Sequence, residues 1–208
     1  MKIAFLGDSI TEGCGASSTE FFYVNQVGKI LDAEVLNYGV GGTRISKQKE
    51  ISEVAQWDYD FLSRAEIMEK DVDLVIVFGG TNDYGHGKAL LGDVKDDTSY
   101  TFYGGINVLL EYLIKTYGKS KIGVVLPIRR FNDHIKNQSN GVDLKRYVDI
   151  EKEVCDKFGI KTLDLYSDCL PAPLVDTGDK YTTDGVHPND LGHTLIAEKV
   201  SRFIKENW

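Results

Sequence analysis

Cysteine is scarce in this sequence, which argues against a cysteine-ligated metal protein and against a disulfide-stabilised one. The 208 residues include only three cysteines, Cys14, Cys155 and Cys169, and their spacing matches no metal site. An odd number of cysteines so far apart does not suit a disulfide framework either. We therefore expect reduced thiols and a cytoplasmic protein.

Long apolar runs and excess positive charge are also missing. No stretch is long enough to span a bilayer, and the apolar part of residues 1–8 is too short for a signal peptide. Lysine and arginine number 24 against 32 aspartates and glutamates, which gives a formal net charge of -8. Because nucleic acids and anionic membrane surfaces attract basic patches, we expect neither as a partner, and no membrane insertion.

What is present is an alternation of short apolar runs and helical patterns. Hydrophobic residues make up 42% of the chain and charged residues 27%, as in ordinary globular proteins, so we expect one domain over residues 1–208. The apolar runs predict five strands, at residues 3–6, 34–38, 74–78, 122–127 and 160–165. Strands that alternate with helices favour an α/β fold with a parallel sheet covered on both faces.

Helical spacing of apolar residues predicts the elements between those strands. It indicates helices near 18–31, over 106–117 and 147–158, and after the turn at 184–189. Residues 17–20, Ser-Ser-Thr-Glu, resemble a capping box for the first helix. Residues 44–71 are polar and mostly helical in character.

Two long polar segments, residues 84–103 and 128–141, interrupt this pattern. Loops of such length inside a compact domain are usually functional or mobile. Their aromatic and cationic side chains are predicted to wall a pocket, although ordinary surface packing explains any single one equally well: Tyr84, His86, Tyr100, Phe102, Tyr103, Arg129, Arg130 and Phe131. Such side chains suit sugars by stacking, or anionic acyl carriers by charge pairing.

The first strand runs directly into residues 7–13, GDSITEG. Ser9 thus follows the carboxyl end of a strand, which is where open α/β sheets bind their ligands. Serine and aspartate are also favoured at helix caps and turns, so Ser9 could instead only cap the next helix.

Nucleophilic serine chemistry needs partners, and the sequence offers them at other strand ends. A serine hydroxyl barely ionises, so a base must take its proton and a carboxylate must orient that base. His187 and Asp184, three residues apart in one turn, can fill these roles for Ser9. Backbone N–H groups of Ser9 and Gly42, with the side-chain amide of Asn82, can stabilise the negative charge that develops on a carbonyl oxygen. Singly, each of these residues also suits an ordinary turn or loop.

The four blocks that contain these residues resemble those of the SGNH hydrolases, also called the GDSL esterase/lipase family. They read GDSI at 7–10, NYGVGG at 37–42, GGTND at 79–83 and DGVHPN at 184–189, in the family's order along nearly the whole chain. Isoleucine stands at residue 10 where leucine is usual. The resemblance implies a three-layer α/β/α sandwich whose five-stranded parallel sheet has the flavodoxin-like order 2-1-3-4-5.

The same resemblance implies roles for particular residues and no metal or other cofactor. Ser9 attacks, Asp184 orients His187 as the base, and Ser9, Gly42 and Asn82 form the oxyanion hole. Asp8, Asp83, Tyr84 and Arg129 are predicted to support the site or to bind substrate. The sequence contains no Gly-x-Ser-x-Gly, so a sharp nucleophile elbow is not expected.

The leading hypothesis is a serine esterase acting on a small ester, with short acyl groups such as acetyl on carbohydrates or other polar alcohols. Lysophospholipase and acyl-thioesterase activities occur in the same family. Two further hypotheses remain open. One is a metal-dependent phosphoesterase with Asp8, Asp83, Asp184 and His187 as ligands. The other is a flavodoxin-like binding module in which residues 9–13 cradle a phosphate.

Overall fold

A five-stranded parallel sheet forms the centre of the computed structural model, which describes residues 1–171, 173 and 179–208. The strands are β1 (Lys2–Gly7), β2 (Glu34–Gly39), β3 (Leu74–Phe78), β4 (Ile122–Leu126) and β5 (Lys161–Asp164). They lie in the order β2-β1-β3-β4-β5, and every neighbouring pair is parallel. The predicted fold class and strand order are confirmed.

Helices cover both faces of this sheet. They are α1 (Ser9–Glu12), α2 (Tyr23–Leu31), α3 (Phe61–Ile67), α4 (Thr81–His86), α5 (Phe102–Tyr117), α6 (Leu144–Phe158) and α7 (Asp190–Asn207), with 3-10 turns at Thr19–Phe21, Ala55–Asp58 and Lys119–Lys121. Among the described residues, no helix is both apolar enough and long enough to traverse a membrane.

The period-two alternation along the strands divides the core into two clusters. In β1, Ala4 and Leu6 face the cluster that contains α3, α5 and α6, whereas Ile3 and Phe5 face the cluster that contains α2 and α7. Successive side chains of a strand point to opposite faces, so a strand covered on both sides must be apolar throughout. All five residues of β3 are buried for this reason.

Residues 44–71 are not mostly helical, which corrects the prediction from their composition. Within them only the turn at Ala55–Asp58 and the seven-residue helix α3 are helical. Much of the remainder is held by side-chain carboxylates instead of helical hydrogen bonds. Asp58, for example, accepts the backbone N–H of Ser52 at 2.9 Å.

The capping-box prediction at residues 17–20 is also wrong. Ser18 makes no side-chain hydrogen bond as a cap, and a 3-10 turn separates it from α2, which begins at Tyr23. Ser17 instead donates its backbone N–H and its hydroxyl to the carboxylate of Asp190, both at 2.7 Å. A tertiary contact with α7 has replaced the local cap.

The register of the strands places three loops at one edge of the sheet. Gly7 pairs with Gly39 of β2 and with Phe78 of β3, so these three strands end at the same level. The strand order reverses between β1 and β3, and such a switch point opens a crevice at the carboxyl edge of an α/β sheet. The polar blocks that follow β1, β2 and β3 therefore meet there.

Candidate active site

Ser9 is the first residue of the short helix α1, directly after β1. The carboxylate of Asp8 caps this helix by accepting the backbone N–H of Ile10 at 3.0 Å. Ser9 is only 7% exposed. The cap fixes the turn, so the Ser9 hydroxyl has a defined position at the crevice.

His187 and Asp184 meet Ser9 from the other end of the chain. His187 Nε2 lies 3.0 Å from Ser9 Oγ, and His187 Nδ1 lies 2.6 Å from Asp184 Oδ2. The second carboxylate oxygen of Asp184 accepts the backbone N–H groups of Val186 and His187, at 3.0 and 2.7 Å. Because Nδ1 faces a carboxylate, it carries the proton and leaves Nε2 free to accept one from the serine.

Two tethers align the start of α7 with the segment that follows Ser9. The buried ring of His193 accepts the Tyr23 backbone N–H at Nδ1, 3.3 Å away, and donates from Nε2 to the Cys14 carbonyl at 3.1 Å. The second tether is the pair of hydrogen bonds from Ser17 to Asp190. Burial lowers the pKa of His193, which favours the neutral ring that this pairing requires.

The glycine loop after β2 lies beside Ser9. A side chain at Gly41 would come within 3.6 Å of Ser9 Cβ, and Gly42 has a φ of +75°, which favours glycine. A Cβ at Gly42 would also lie 2.1 Å from the indole ring of Trp57. Within the described residues, neither the Ser9 nor the Gly42 backbone N–H has a protein acceptor. Both are available to a ligand.

Hydrogen bonds made by Asn82 and Asp83, which follow β3, hold the loop after β2 in position. The Asn82 side-chain amide donates to the Thr43 carbonyl at 3.0 Å, which leaves its second N–H. The carboxylate of Asp83 accepts the backbone N–H groups of Ile45 and Ser46, both at 2.9 Å, and the Ser46 hydroxyl at 2.5 Å. The Asp83 carboxylate thus holds the loop that follows β2.

Arg64, which the sequence did not single out, ties the strand ends together. Its guanidinium donates to the carbonyls of Gly7 (2.8 Å), Tyr38 (2.7 Å) and Tyr59 (3.2 Å), and to the Thr43 hydroxyl (2.8 Å). The side chain is buried, and that burial lowers its pKa to about 10. One cation therefore joins the ends of β1 and β2 to the glycine loop.

Burial and hydrogen bonding shift the pKa values of Asp8 and Asp184 in opposite directions. It raises the pKa of Asp8 from its ordinary value of 3.8 to about 6, although the Ile10 N–H and the cation of Arg64 oppose the rise. Burial also pulls the pKa of Asp184 upward, but the hydrogen bonds from His187 and Val186 outweigh it and lower that pKa overall. Asp184 is the better suited of the two to remain charged beside an imidazolium.

Three residues that were predicted near the pocket contact other loops. Tyr84 is buried, and its hydroxyl donates to the Ile135 carbonyl at 2.8 Å and to the Asn132 carbonyl. Arg129 pairs with the buried carboxylate of Asp133, and its guanidinium lies 4.6 Å from the centre of the Tyr166 ring. The neighbouring Arg130 contacts a different element, since its guanidinium donates to the carbonyl and the hydroxyl of Thr81, both at 3.3 Å. Arg130 is therefore the arginine of this loop that lies against the strand-end block containing Asn82.

Phe102 and Tyr103 do not wall a pocket, which corrects another prediction. Phe102 has no exposed surface and packs in the core, and Tyr103 is 5% exposed. The Tyr103 hydroxyl donates to Glu153 at 2.5 Å and accepts from Arg146 at 3.0 Å. These residues belong to α5, which begins four residues earlier than the apolar spacing suggested, after Thr101 as its cap.

The two alternative sites proposed from sequence find little support in this geometry. Among residues 1–171, 173 and 179–208, no three histidine, cysteine or carboxylate side chains converge as a metal site. Asp83, one of the four ligands suggested, is committed to the glycine loop. In the segment that was to cradle a phosphate, the N–H groups of Ile10, Glu12 and Gly13 already bind acceptors at Asp8 and Ser9.

Comparisons with known proteins identify a family and related folds. Residues 5–195 match the model of the GDSL-like Lipase/Acylhydrolase family. An acetylxylan esterase from Xylanibacter ruminicola is 27% identical over 235 residues, which cover 99% of this chain and 43% of that protein. The chain spans less than half the length of the curated relatives that it matches.

Solved structures match over nearly the full length of both chains. A crystal structure of a protein from Lactobacillus plantarum is 26% identical with a TM-score of 0.82, covering 100% of this chain and 97% of that chain. The crystal structure of an acetyl xylan esterase is 22% identical with a TM-score of 0.65, covering 96% of this chain and 98% of that chain. At that identity the second match shows a common fold.

Replacing Asp8 by Asn should stabilise the protein in a pH-dependent way. The raised pKa means that Asp8 favours folding while it is protonated, and that this contribution is lost as the pH rises from about 4 through about 6. Asparagine cannot ionise but can still accept the Ile10 N–H. Relative to wild type, Asp8→Asn should gain on the order of 2–3 kcal/mol in free energy of unfolding between pH 4 and pH 7. Urea unfolding across that range measures the change, with exposed Asp71→Asn as the control. A stability difference independent of pH would contradict it.

Replacing Arg64 by Met should destabilise the protein strongly. Methionine keeps an unbranched apolar side chain but removes the charged donor that binds the carbonyls of Gly7 and Tyr38, and a hydrogen bond to a charged group contributes about 1.5–3 kcal/mol. We expect a loss of about 3 kcal/mol or more in the free energy of unfolding, measured in urea. The matched control is Arg202→Met on the exposed face of α7, which should change stability by less than about 0.5 kcal/mol. Equal effects of the two substitutions would refute the role of Arg64.

Proposed function

Since the chain belongs to the GDSL-like lipase/acylhydrolase family, the SGNH hydrolases, we propose that residues 1–208 form one catalytic domain that hydrolyses carboxylic esters through an acyl-enzyme on Ser9. The observation that carries the proposal is the continuous hydrogen-bonded chain from Ser9 Oγ through the His187 ring to Asp184. It places a base and its orienting carboxylate beside a hydroxyl at the crevice of the sheet.

The reaction proceeds in two acyl transfers. Ser9 Oγ forms a bond to the ester carbonyl carbon while His187 Nε2 takes the serine proton. The tetrahedral intermediate then breaks its bond to the alcohol oxygen, and His187 returns the proton to that oxygen as the alcohol leaves. Water repeats the sequence on the acyl-serine, which releases the acid. Asp184 stays ionised and stabilises the imidazolium in both halves.

The negative oxygen of each tetrahedral intermediate needs donors that are in place before the reaction. The backbone N–H groups of Ser9 and Gly42 and the second amide N–H of Asn82 fill this role, because none has an acceptor among the residues that the structure describes. Arg64, Thr43 and Asp83 hold these donors in position. Preorganised donors lower the barrier because little reorientation is needed as charge develops.

For the substrate we favour short acyl groups, such as acetyl, on a carbohydrate or another polar alcohol. The acetylxylan esterase relative supports this choice, since it aligns with 99% of this chain. Lysophospholipase activity has no comparable observation in its favour.

Substituting Ser9→Ala should abolish hydrolysis of p-nitrophenyl acetate, with kcat falling at least ~10³-fold because no group remains to form the acyl-enzyme. A stopped assay of acetate release from acetylated xylan oligomers should show the same loss. Circular dichroism and urea unfolding serve as controls that the variant folds.

Two wild-type measurements accompany that substitution. Rates should fall from p-nitrophenyl acetate to p-nitrophenyl octanoate, and a chelator should leave them unchanged. Retained activity in Ser9→Ala would refute the nucleophile. Activity that a chelator removes and a divalent cation restores would favour the metal-dependent phosphoesterase, and rates that rise with acyl length would favour a lipid substrate.

Gly42→Ala should lower kcat for p-nitrophenyl acetate by about 10²–10³, the cost of removing one oxyanion donor. The added methyl group faces a positive φ and the Trp57 ring at 2.1 Å, so the loop must move. Gly41→Ala is the matched control, because its φ is ordinary and the first atom it meets is the flexible carboxylate end of Glu12 at 2.8 Å. Similar losses in both variants would argue against a special role for the Gly42 N–H.

A further inference from the structure

A small cavity with mixed polar and apolar walls, Ile51 among them, opens beside the glycine loop and has no role in the bond-breaking steps. Its volume is about 230 Å³, and its walls include Arg44, Gln48, Ser52, Trp57, His86 and Lys88. Pockets for drug-sized ligands measure about 300–1,000 Å³, so this one suits a single small group.

Trp57 connects this cavity to the oxyanion hole. Its indole ring lies against Gly42, where an added Cβ would be 2.1 Å from both Cδ1 and Nε1. Gly41, the preceding residue, lies beside Ser9. The cavity therefore begins one side chain away from the position of the reacting carbonyl. The indole Nε1–H has no acceptor among the described residues and can donate to a ligand.

Contacts within the protein hold Trp57 in position. The buried guanidinium of Arg44 donates to the Trp57 carbonyl at 3.2 Å, to Asp58 at 2.9 Å and to the Ser52 hydroxyl at 2.5 Å. The His86 ring lies against the indole, with 4.3 Å between ring centres. These contacts hold Trp57 in one position, so little ordering is required on binding.

The charges that line the cavity compensate one another. Arg44 is paired with Asp58, and Lys88 with Glu50 at 2.9 Å. Burial and the nearby cations of Arg44 and Arg130 lower the pKa of His86 to about 4, so its ring is neutral at pH 7. Glu53 adds a further negative charge at the wall. An anionic ligand finds no free cation here, whereas hydroxyl groups find both donors and acceptors.

We propose that this cavity binds the alcohol half of the ester as one neutral sugar unit, with the Trp57 indole and its N–H as the main contact. This inference rests on the proposed ester hydrolysis at Ser9 and adds the position at which the sugar is recognised. An acetyl group needs only a small space beside the carbonyl, so the cavity, with its aromatic ring and hydrogen-bonding side chains, is assigned to the other half of the substrate.

The test compares two esters with the same acyl group in Trp57 variants. Acetylated xylobiose offers a sugar to the cavity, and p-nitrophenyl acetate does not. Trp57→Phe, which keeps a ring but loses the N–H, should lower kcat/KM for acetylated xylobiose about 3- to 10-fold, the worth of one hydrogen bond. Trp57→Ala should lower it about 30- to 100-fold. In both variants, kcat/KM for acetylated xylobiose should fall more than kcat/KM for p-nitrophenyl acetate.

The controls separate failure of this inference from failure of the proposed function. Tyr59→Ala changes an exposed aromatic residue two positions away that does not line the cavity, and it should affect neither ester. If Trp57→Phe and Trp57→Ala lower activity on both esters equally, Trp57 only supports Gly42, and the sugar site is refuted. Unchanged activity on acetylated xylobiose in both variants refutes it as well. A wild-type protein that cleaves neither ester overturns the proposed function itself.

Discussion

The hydrogen bond between the Ser9 hydroxyl and the His187 ring joins groups that are 178 residues apart in sequence, and the rest of the site depends on keeping them 3.0 Å from each other. The parallel sheet fixes one side of this pair, since Ser9 follows β1 without a break. The turn before α7 fixes the other. His193 and Asp190 connect the two sides through hydrogen bonds to the segment between Cys14 and Tyr23. A shift of α7 along α2 would therefore separate the His187 ring, the proposed base, from the Ser9 hydroxyl.

Buried charged side chains at the carboxyl edge of the sheet also hold the loops of the site in position. Arg64, Asp8 and Asp83 are each less than 7% exposed, and burial disfavours the charged form of each. Their hydrogen bonds go mainly to backbone groups of the loops after β1 and β2. Each charge fixes several backbone positions at once, which a neutral side chain with fewer strong donors or acceptors could not do. Fixing these backbone positions, which include the loop that carries the proposed oxyanion donor Gly42, therefore costs the free energy of removing the three charged groups from water.

The crevice has two different sides around this centre. On the side of Arg130 and Tyr84, side chains fasten the loop at 128–141 to the block that carries Asn82. On the side of Gly42, the Trp57 ring and the cavity next to it leave room for a ligand. The loop after β2 lies at the outer part of the sheet, because β2 is an edge strand.

Much of this structure was predictable from local sequence. Apolar runs gave strand positions within a residue or two, as for Leu74–Phe78, because a strand buried on both faces must be apolar throughout. The four blocks marked Ser9, Gly42, Asn82, Asp184 and His187, because these residue types suit serine chemistry and the order of the blocks resembles that of the SGNH hydrolases. The roles of Arg64 and Trp57 were not predictable. The carbonyls of Gly7 and Tyr38 that Arg64 binds lie 57 and 26 residues away, and a buried arginine in a polar segment has no local signature.

The sequence by itself determined which groups stand at strand ends, because strand boundaries and turn chemistry are local properties of the chain. The tertiary structure alone decided which polar side chains reach the crevice and which turn away from it. Arg129 and Arg130 are neighbours with the same chemistry, yet the first pairs with Asp133 and the second reaches Thr81. Their different orientations depend on Asp133 and Thr81, which are brought near these arginines only when the helices pack on the sheet.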